Sequence, residues 1–213
     1  MSRSSQREDH LKALYALGES QPSSWVSTTQ LASHLGVKPP SVTAMVQVLA
    51  ELGWAEHRPY HGARLTPKGR KLALSLVRKH RLWETFLVAR LGFGWEEVHD
   101  IAEQLEHVDS VELVKRLDAY LGHPQSDPHG DPIPKADGTF HPEGEVFVLA
   151  ELNPLVRCEV KAVREGSDAT LSAMSAKGIA LGSVLMPSQI EALPAAWLEQ
   201  LMVCKTVDDG SAD

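Results

Sequence analysis

Apolar residues recur at helical spacing through residues 7–70 and change to short runs after residue 145. Leu11, Leu14 and Tyr15 fall on one stripe, which predicts a helix over Asp9 to Leu17. Ser27, Thr28 and Thr29 offer N-caps for a second helix that runs through Leu35 and stops at Gly36. Pro39 and Pro40 suit the first turn of a third helix, SVTAMVQVLAELG, which Gly53 ends. Its stripe is Val42, Met45, Val46, Leu49 and Leu52. WAEHRPYHGARLTPKG then reads as a hairpin with its turn at His61–Gly62. Residues 71–121 are nearly free of proline and rich in helix formers, whereas 122–144 are dense in Pro, Gly and Asp and read as a linker or extended arm. Within 145–206 the runs EVFVLAEL, VRCEVKAV and GSVLMP predict short strands of a small β module. The expected fold is therefore mainly α with small β parts, in three segments: 1–71, 72–144 and 145–213.

A helix, a short glycine-containing turn and a second helix form the helix-turn-helix pattern, whose second helix enters the major groove of DNA. Here Ser41, Thr43, Ala44 and Gln47 stay on the outer face of that helix, and such short polar and methyl groups suit base edges and phosphates. The hairpin adds His57, Arg58, His61, Arg64 and Lys68, a basic wing for the phosphate backbone. The candidate DNA contacts are Ser27, Thr28, Pro39, Pro40, Ser41, Thr43, Gln47, Arg58 and Arg64. A helical pair packed on a sheet of an unrelated fold is the structural alternative.

Charge sharpens this division. The chain of 213 residues carries −7, yet residues 1–71 hold nine Lys/Arg against five Asp/Glu and the remainder twelve against twenty-three. A basic module joined to an acidic one is suggested, and carboxylates in surplus suit cation binding or a solvated surface. Cys158 and Cys204 are too few for a disulfide framework or a Cys-rich zinc site, and no apolar run nears the roughly 18 residues of a membrane helix. The polar start MSRSSQREDH does not read as a signal peptide, so a reducing cytoplasm is expected.

The chemistry concentrates in VHDIAEQLEHV. At about 100° per residue, His99, Glu103, Glu106 and His107 fall on one helical face, and His80 with Glu84 forms a further i, i+4 pair. Carboxylates and imidazoles without thiolates suit Mn(II) and Fe(II), and Zn(II) or Co(II) would also bind in vitro. A solvated helix with scattered charges is the plainer reading. No HExxH, Gly-rich phosphate loop or GxSxG elbow occurs, so no catalytic residues are expected and the chain does not read as an enzyme. The rival to a metal sensor is a winged-helix regulator that responds to a small molecule or an oxidant.

These segments resemble the diphtheria toxin repressor and manganese transport regulator family of metal-dependent transcriptional repressors. RKHRLWETFLVARLGFGWEEVHDIAEQLEHV is similar to that family's metal and dimerization helices, SDPHGDPIP to the linker after them, SVTAMVQ to its recognition helix and EHRPYHGARLTPKG to its wing. The resemblance implies a winged helix-turn-helix, a helical metal-binding and dimerization domain, and an SH3-like (FeoA-like) C-terminal module. It implies a primary metal site of Asp9, Glu103, Glu106 and His107, and an ancillary site of His80, Glu84 and His99 completed from the C-terminal module, where Glu165 and Asp168 stand near. Iron-responsive relatives carry Met and Cys where this chain has Asp9 and Glu103, so the resemblance favours Mn(II), with Fe(II) as the alternative. Lys12 stands where some manganese regulators place a carboxylate, which argues against a closely spaced two-metal cluster. The implied partners are an operator DNA duplex, a divalent metal and a second copy of the chain. Leu105, Val108, Val111 and Leu117 are the apolar candidates for the dimer interface or for intramolecular core.

Overall fold

The computed structural model describes residues 3–18, 25–141, 145–152, 157–164 and 167–206. The chain divides into two compact units. One comprises Met1–His80, Glu103–Val114 and Pro134–Phe140, the other Arg81–Ala102, Lys115–Ile133 and His141–Asp213.

The first unit begins with α1 (Arg3–Gly18), which starts earlier than its apolar stripe alone predicts. Ser27 caps α2 (Thr28–Leu35) through a reciprocal box with Gln30, so its hydroxyl serves the helix end. Gly36 closes α2 in the left-handed conformation (φ 64°). Pro39 and Pro40 then open α3 (Pro39–Glu51), where the missing amide protons are no loss. Val42, Val46 and Leu49 are buried and Met45 partly so, whereas Leu52 caps the helix and is exposed. These side chains close on Leu11, Leu14 and Tyr15 of α1 and Leu31 of α2. Full burial of each such aliphatic side chain stabilises by about 1.5–3 kcal/mol.

The wing is β1 (Ala55–Arg58) paired antiparallel with β2 (Gly62–Leu65). The turn lies at 59–61, one step earlier than expected, with Tyr60 at φ 67°. Val26 forms a further antiparallel bridge to Ala63, so the chain entering α2 lies beside β2. Thr66 Oγ1 accepts from the Gly69 amide and so caps α4 (Pro67–Leu91).

α5 covers only His99–Leu105. Ser110 then takes the amides of Leu113 and Val114 and starts α6 (Val111–Tyr120). Glu106 and His107 therefore lie in the turn between two helices. The expected single face of His99, Glu103, Glu106 and His107 does not form, because the second helix start interrupts the first helix.

In the second unit β3 (Phe147–Val148), β4 (Cys158–Val163), β5 (Val184–Leu185) and β6 (Leu201–Lys205) make an antiparallel sheet in the order β3-β6-β4-β5. Among the described residues three short helices accompany it: α7 (Asp168–Ala176), α8 (Pro187–Glu191) and α9 (Ala195–Gln200). Val160, Val163, Leu171, Met174, Ile190, Trp197, Leu201 and Val203 form the core. The three helices are not foreseen by the strand runs, because the segments that form them are too short to show a clear helical period. Leu117 is buried within the chain, whereas Val108 and Val111 are exposed.

Part of the proline-rich stretch is a built turn. Asp127 Oδ1 accepts from the amides of His129 (2.7 Å) and Asp131 (3.0 Å). Gly130, at φ 91°, approaches β4 so closely that a Cβ would lie 2.0 Å from the Lys161 carbonyl oxygen. There β4 is bulged between Val160 and Ala162, and Val163 donates to the His129 carbonyl. The bulge thus seats the turn that carries Asp127 and His129.

Candidate functional site

Among the described residues two clusters of ligand-type side chains lie each within one unit. The first joins α1 to the turn after α5. Asp9, Glu106 and His107 each offer a ligand atom, all within 4.8 Å of one another. Asp9 lies beside His107, with Oδ1 3.2 Å from Nε2. Burial raises its pKa, and Glu106 and Glu103 push the same way against the pull of His107 and Lys12. Glu106 is wholly buried. Burial alone would raise its pKa, but the hydrogen bond from His80 and the charge of Lys12 outweigh it and hold the carboxylate ionised.

One oxygen of Glu106 is engaged and the other is not. Oε2 accepts from His80 Nδ1 (2.6 Å) and Lys12 Nζ (2.8 Å). Oε1 is buried and has no hydrogen-bond partner among the described residues. A buried carboxylate oxygen left in this state is costly, and a cation beside it removes the cost. A carboxylate oxygen of Glu106, the Asp9 carboxylate and the His107 ring lie close enough together to fit a divalent ion of hard to borderline character.

Glu8 completes this arrangement, and sequence reasoning missed it. His107 Nδ1 donates to Glu8 Oε2 at 2.6 Å, which turns Nε2 towards Asp9. A carboxylate behind an imidazole is the usual support of a metal-binding histidine. Glu103 is half exposed and ion-paired to Lys12 at 3.4 Å, outside the three-residue cluster. The Lys12 ammonium, touching both Glu103 and Glu106, already places one positive charge there.

The second cluster is Glu84, Asp127 and His129. Glu84 and Asp127 are buried. The His129 ring stacks on Trp95, and its Nε2 donates to the Trp95 carbonyl at 2.8 Å. Nδ1 is thereby aimed at Glu84 (3.8 Å) and Asp127 (3.9 Å). Burial opposes the charge on His129, but the bond to Glu84 and the two carboxylates raise its pKa to about 9. Burial pushes Asp127 up to about 7, with Asp131 and Glu84 adding to the shift. Three ionisable groups packed at this density suit a cation. Asp127 and His129 escaped sequence reasoning because they stand in a stretch that reads as a linker. The DPHGD spacing, an Asx turn with an imidazole two residues on, was the available signal.

His99 lies on the exposed start of α5, with Nδ1 3.5 Å from Glu84 Oε1. His80 is one turn before Glu84 on α4. Asp168 is exposed in the first turn of α7 and belongs to neither cluster. Glu165 lies outside the described residues.

The nucleic-acid candidates occupy one region of the first unit. Pro39, Pro40, Ser41 and Gln47 are exposed on α3, whereas Thr43 is half buried and its hydroxyl donates to the Pro39 carbonyl at 3.1 Å. Thr28 opens α2 half buried. Arg58 is exposed on β1, and Arg64 of β2 makes a forked bond to Glu56.

Comparison with known proteins agrees with both regions. Residues 3–63 match the family described as "Iron dependent repressor, N-terminal DNA binding domain", and residues 66–135 match "Iron dependent repressor, metal binding and dimerisation domain". The iron-dependent repressor IdeR of Mycobacterium tuberculosis is 36% identical over 127 residues, which are 60% of this chain and 54% of that protein. The chain thus spans about half the length of the IdeR relatives it matches. The HTH-type transcriptional regulator MntR of Lysinibacillus sphaericus is 38% identical over 110 residues, 52% of this chain and 77% of that one. A solved manganese-dependent transcriptional repressor in complex with manganese superposes with a TM-score of 0.78 at 34% identity, covering 93% of this chain and 99% of that one.

Proposed function

Since the chain belongs to the iron-dependent repressor family, we propose that it is a DNA-binding transcriptional repressor of metal-ion homeostasis, switched by Mn(II), with Fe(II) as the alternative metal. The carrying observation is the cluster of Asp9, Glu106 and His107, which ties the first helix of the DNA-binding region to the turn after α5. The bound ion would supply positive charge to Glu106 Oε1 and Asp9. His107 is oriented for it by Glu8, and the buried Glu106 is fixed by His80 and Lys12. With an ion bound, the residues that hold α1 would favour one arrangement of the helix-turn-helix, and by linkage DNA would tighten the ion in return. In a dimer the two recognition helices then meet half-sites about 34–36 Å apart. Val108 and Val111 are exposed apolar residues for such a dimer contact.

In this reading Asp9, Glu106 and His107 form the primary site with Glu103 at its edge, and Glu84 anchors the ancillary one. His80 and His99, as sequence spacing suggests, or Asp127 and His129 complete it. Segments 1–71, 72–144 and 145–213 serve DNA binding, metal binding with dimerization, and a C-terminal module, in a cytoplasmic protein without catalytic activity. Among the described residues no helix is long and apolar enough to cross a membrane. The regulated genes are those of metal uptake. The test is a DNA-binding titration on metal-transporter promoters with Mn(II), anaerobic Fe(II), Zn(II) or chelator at fixed salt. Binding that appears with metal and vanishes with chelator supports the reading. Equal binding in all conditions contradicts it.

A further inference from the structure

We propose that Trp25 is a positioning residue for the wing, an aromatic platform that holds Arg58 and Arg64 together for the phosphate backbone of duplex DNA. This rests on the winged-helix reading above and extends it to a residue that lies before α2 and outside the wing.

The backbone puts Trp25 there. Val26 and Ala63 exchange both hydrogen bonds, at 2.8 and 2.9 Å. Antiparallel continuation of that bridge sets Trp25 opposite Arg64. Across the hairpin Glu56 pairs with Arg64 and Arg58 with Gly62. A strand alternates its faces every residue, so Glu56, Arg58 and Arg64 share one face. The indole lies on that face. The Arg58 guanidinium carbon is 4.7 Å from the ring centroid and that of Arg64 is 4.8 Å.

Two guanidiniums held against one ring repel each other, and a long exposed arginine normally samples many rotamers. The π-face offsets part of the repulsion and restricts both side chains. Glu56 Oε2 accepts from Arg64 Nε (3.2 Å) and one terminal nitrogen (2.9 Å). Two cations against one carboxylate leave positive charge at the surface, and the planar fork of arginine suits phosphate oxygens. Glu56 competes with phosphate for Arg64. The arrangement repeats at lower density nearby, where Arg70 lies 5.0 Å from the centroid of Tyr15.

The experiment uses the full chain with Mn(II) present throughout and a short duplex of mixed sequence, titrated over a range of salt by fluorescence anisotropy. Mixed sequence isolates the backbone term and removes any need to know the operator. Trp25→Leu is expected to weaken binding several-fold at low salt and to flatten the slope of log affinity against log salt by about one. Trp25→Phe, which keeps a π-face, is expected to recover most of both changes. Glu56→Gln is expected to tighten binding. The Leu and Phe pair separates the platform from mere filling of space, since both are apolar and of similar bulk. Wild-type affinity and slope in Trp25→Leu, or a Phe variant no better than Leu, overturns the inference while leaving the winged helix intact. Failure of the wild-type chain to bind the duplex at any salt overturns the inference together with the reading it rests on.

Discussion

Glu8 and His129 are the residues whose roles depend most on their neighbours. Glu8 is not one of the three clustered ligand candidates. It fixes the His107 ring through Nδ1, so Nε2 faces Asp9. Glu8→Gln or Glu8→Ala is expected to weaken metal binding by about 10- to 100-fold while the fold is kept. Isothermal titration with Mn(II) checks this, and an unchanged affinity removes Glu8 from the site. The neighbour of Asp9 was hard to select from sequence, since adjacent helical residues point about 100° apart and only the fold shows that both reach His107. For His129 the folded pKa of about 9 stands above its ordinary 6.5, because Glu84 and Asp127 outweigh burial. The stabilisation is fully present below pH 6.5 and is lost as pH rises through about 9. Its size is of order 3 kcal/mol. Asp127 is also raised, so its ionisation works in the same direction at lower pH. The metal-free chain is therefore expected to melt at lower temperature at pH 9 than at pH 6.5, and His129→Gln is expected to flatten that slope. Melting temperatures that rise over this window contradict the assignment.

Among the elements, the helix-turn-helix and its wing were legible because their signals are local. Ser27, Gly36 and the Pro39–Pro40 pair each act within a turn or two of chain, and the structure places each where capping chemistry puts it. The metal helix was legible in composition but not in extent. Periodicity carried His99 to His107 on one face, while Ser110 capped a new helix and put Glu106 and His107 in a turn. The turn at Asp127 was hidden for a different reason. Its geometry depends on the bulge in β4, far along the chain. Close approach also makes the wing sensitive at one position. Gly62 has φ 105°, and a Cβ there would lie 2.0 Å from the Val26 carbonyl oxygen. Gly62→Ala is expected to cost about 2–3 kcal/mol and to open the bridge that places Trp25. Hydrogen exchange at the Val26 and Ala63 amides reads that opening directly, and protection equal to wild type contradicts it.

For the whole molecule, the two compact units cut across the three segments that texture alone suggests, because α4, α5 and α6 contribute residues to both. Composition changes along the chain, whereas packing joins distant pieces. The primary cluster illustrates the difference. Asp9 stands far before the adjacent pair Glu106 and His107 in sequence, and only the family resemblance linked it to them before the fold did. In the proposed function an ion at this cluster controls DNA binding. Its most direct test compares the wild-type chain with Glu106→Ala and His107→Ala on a metal-transporter promoter, with and without Mn(II), after circular dichroism has shown each variant folded. Mn(II) is expected to tighten wild-type binding by roughly 5- to 150-fold and to leave both variants at the metal-free level. Variants that still gain affinity with Mn(II) as the wild type does would contradict it.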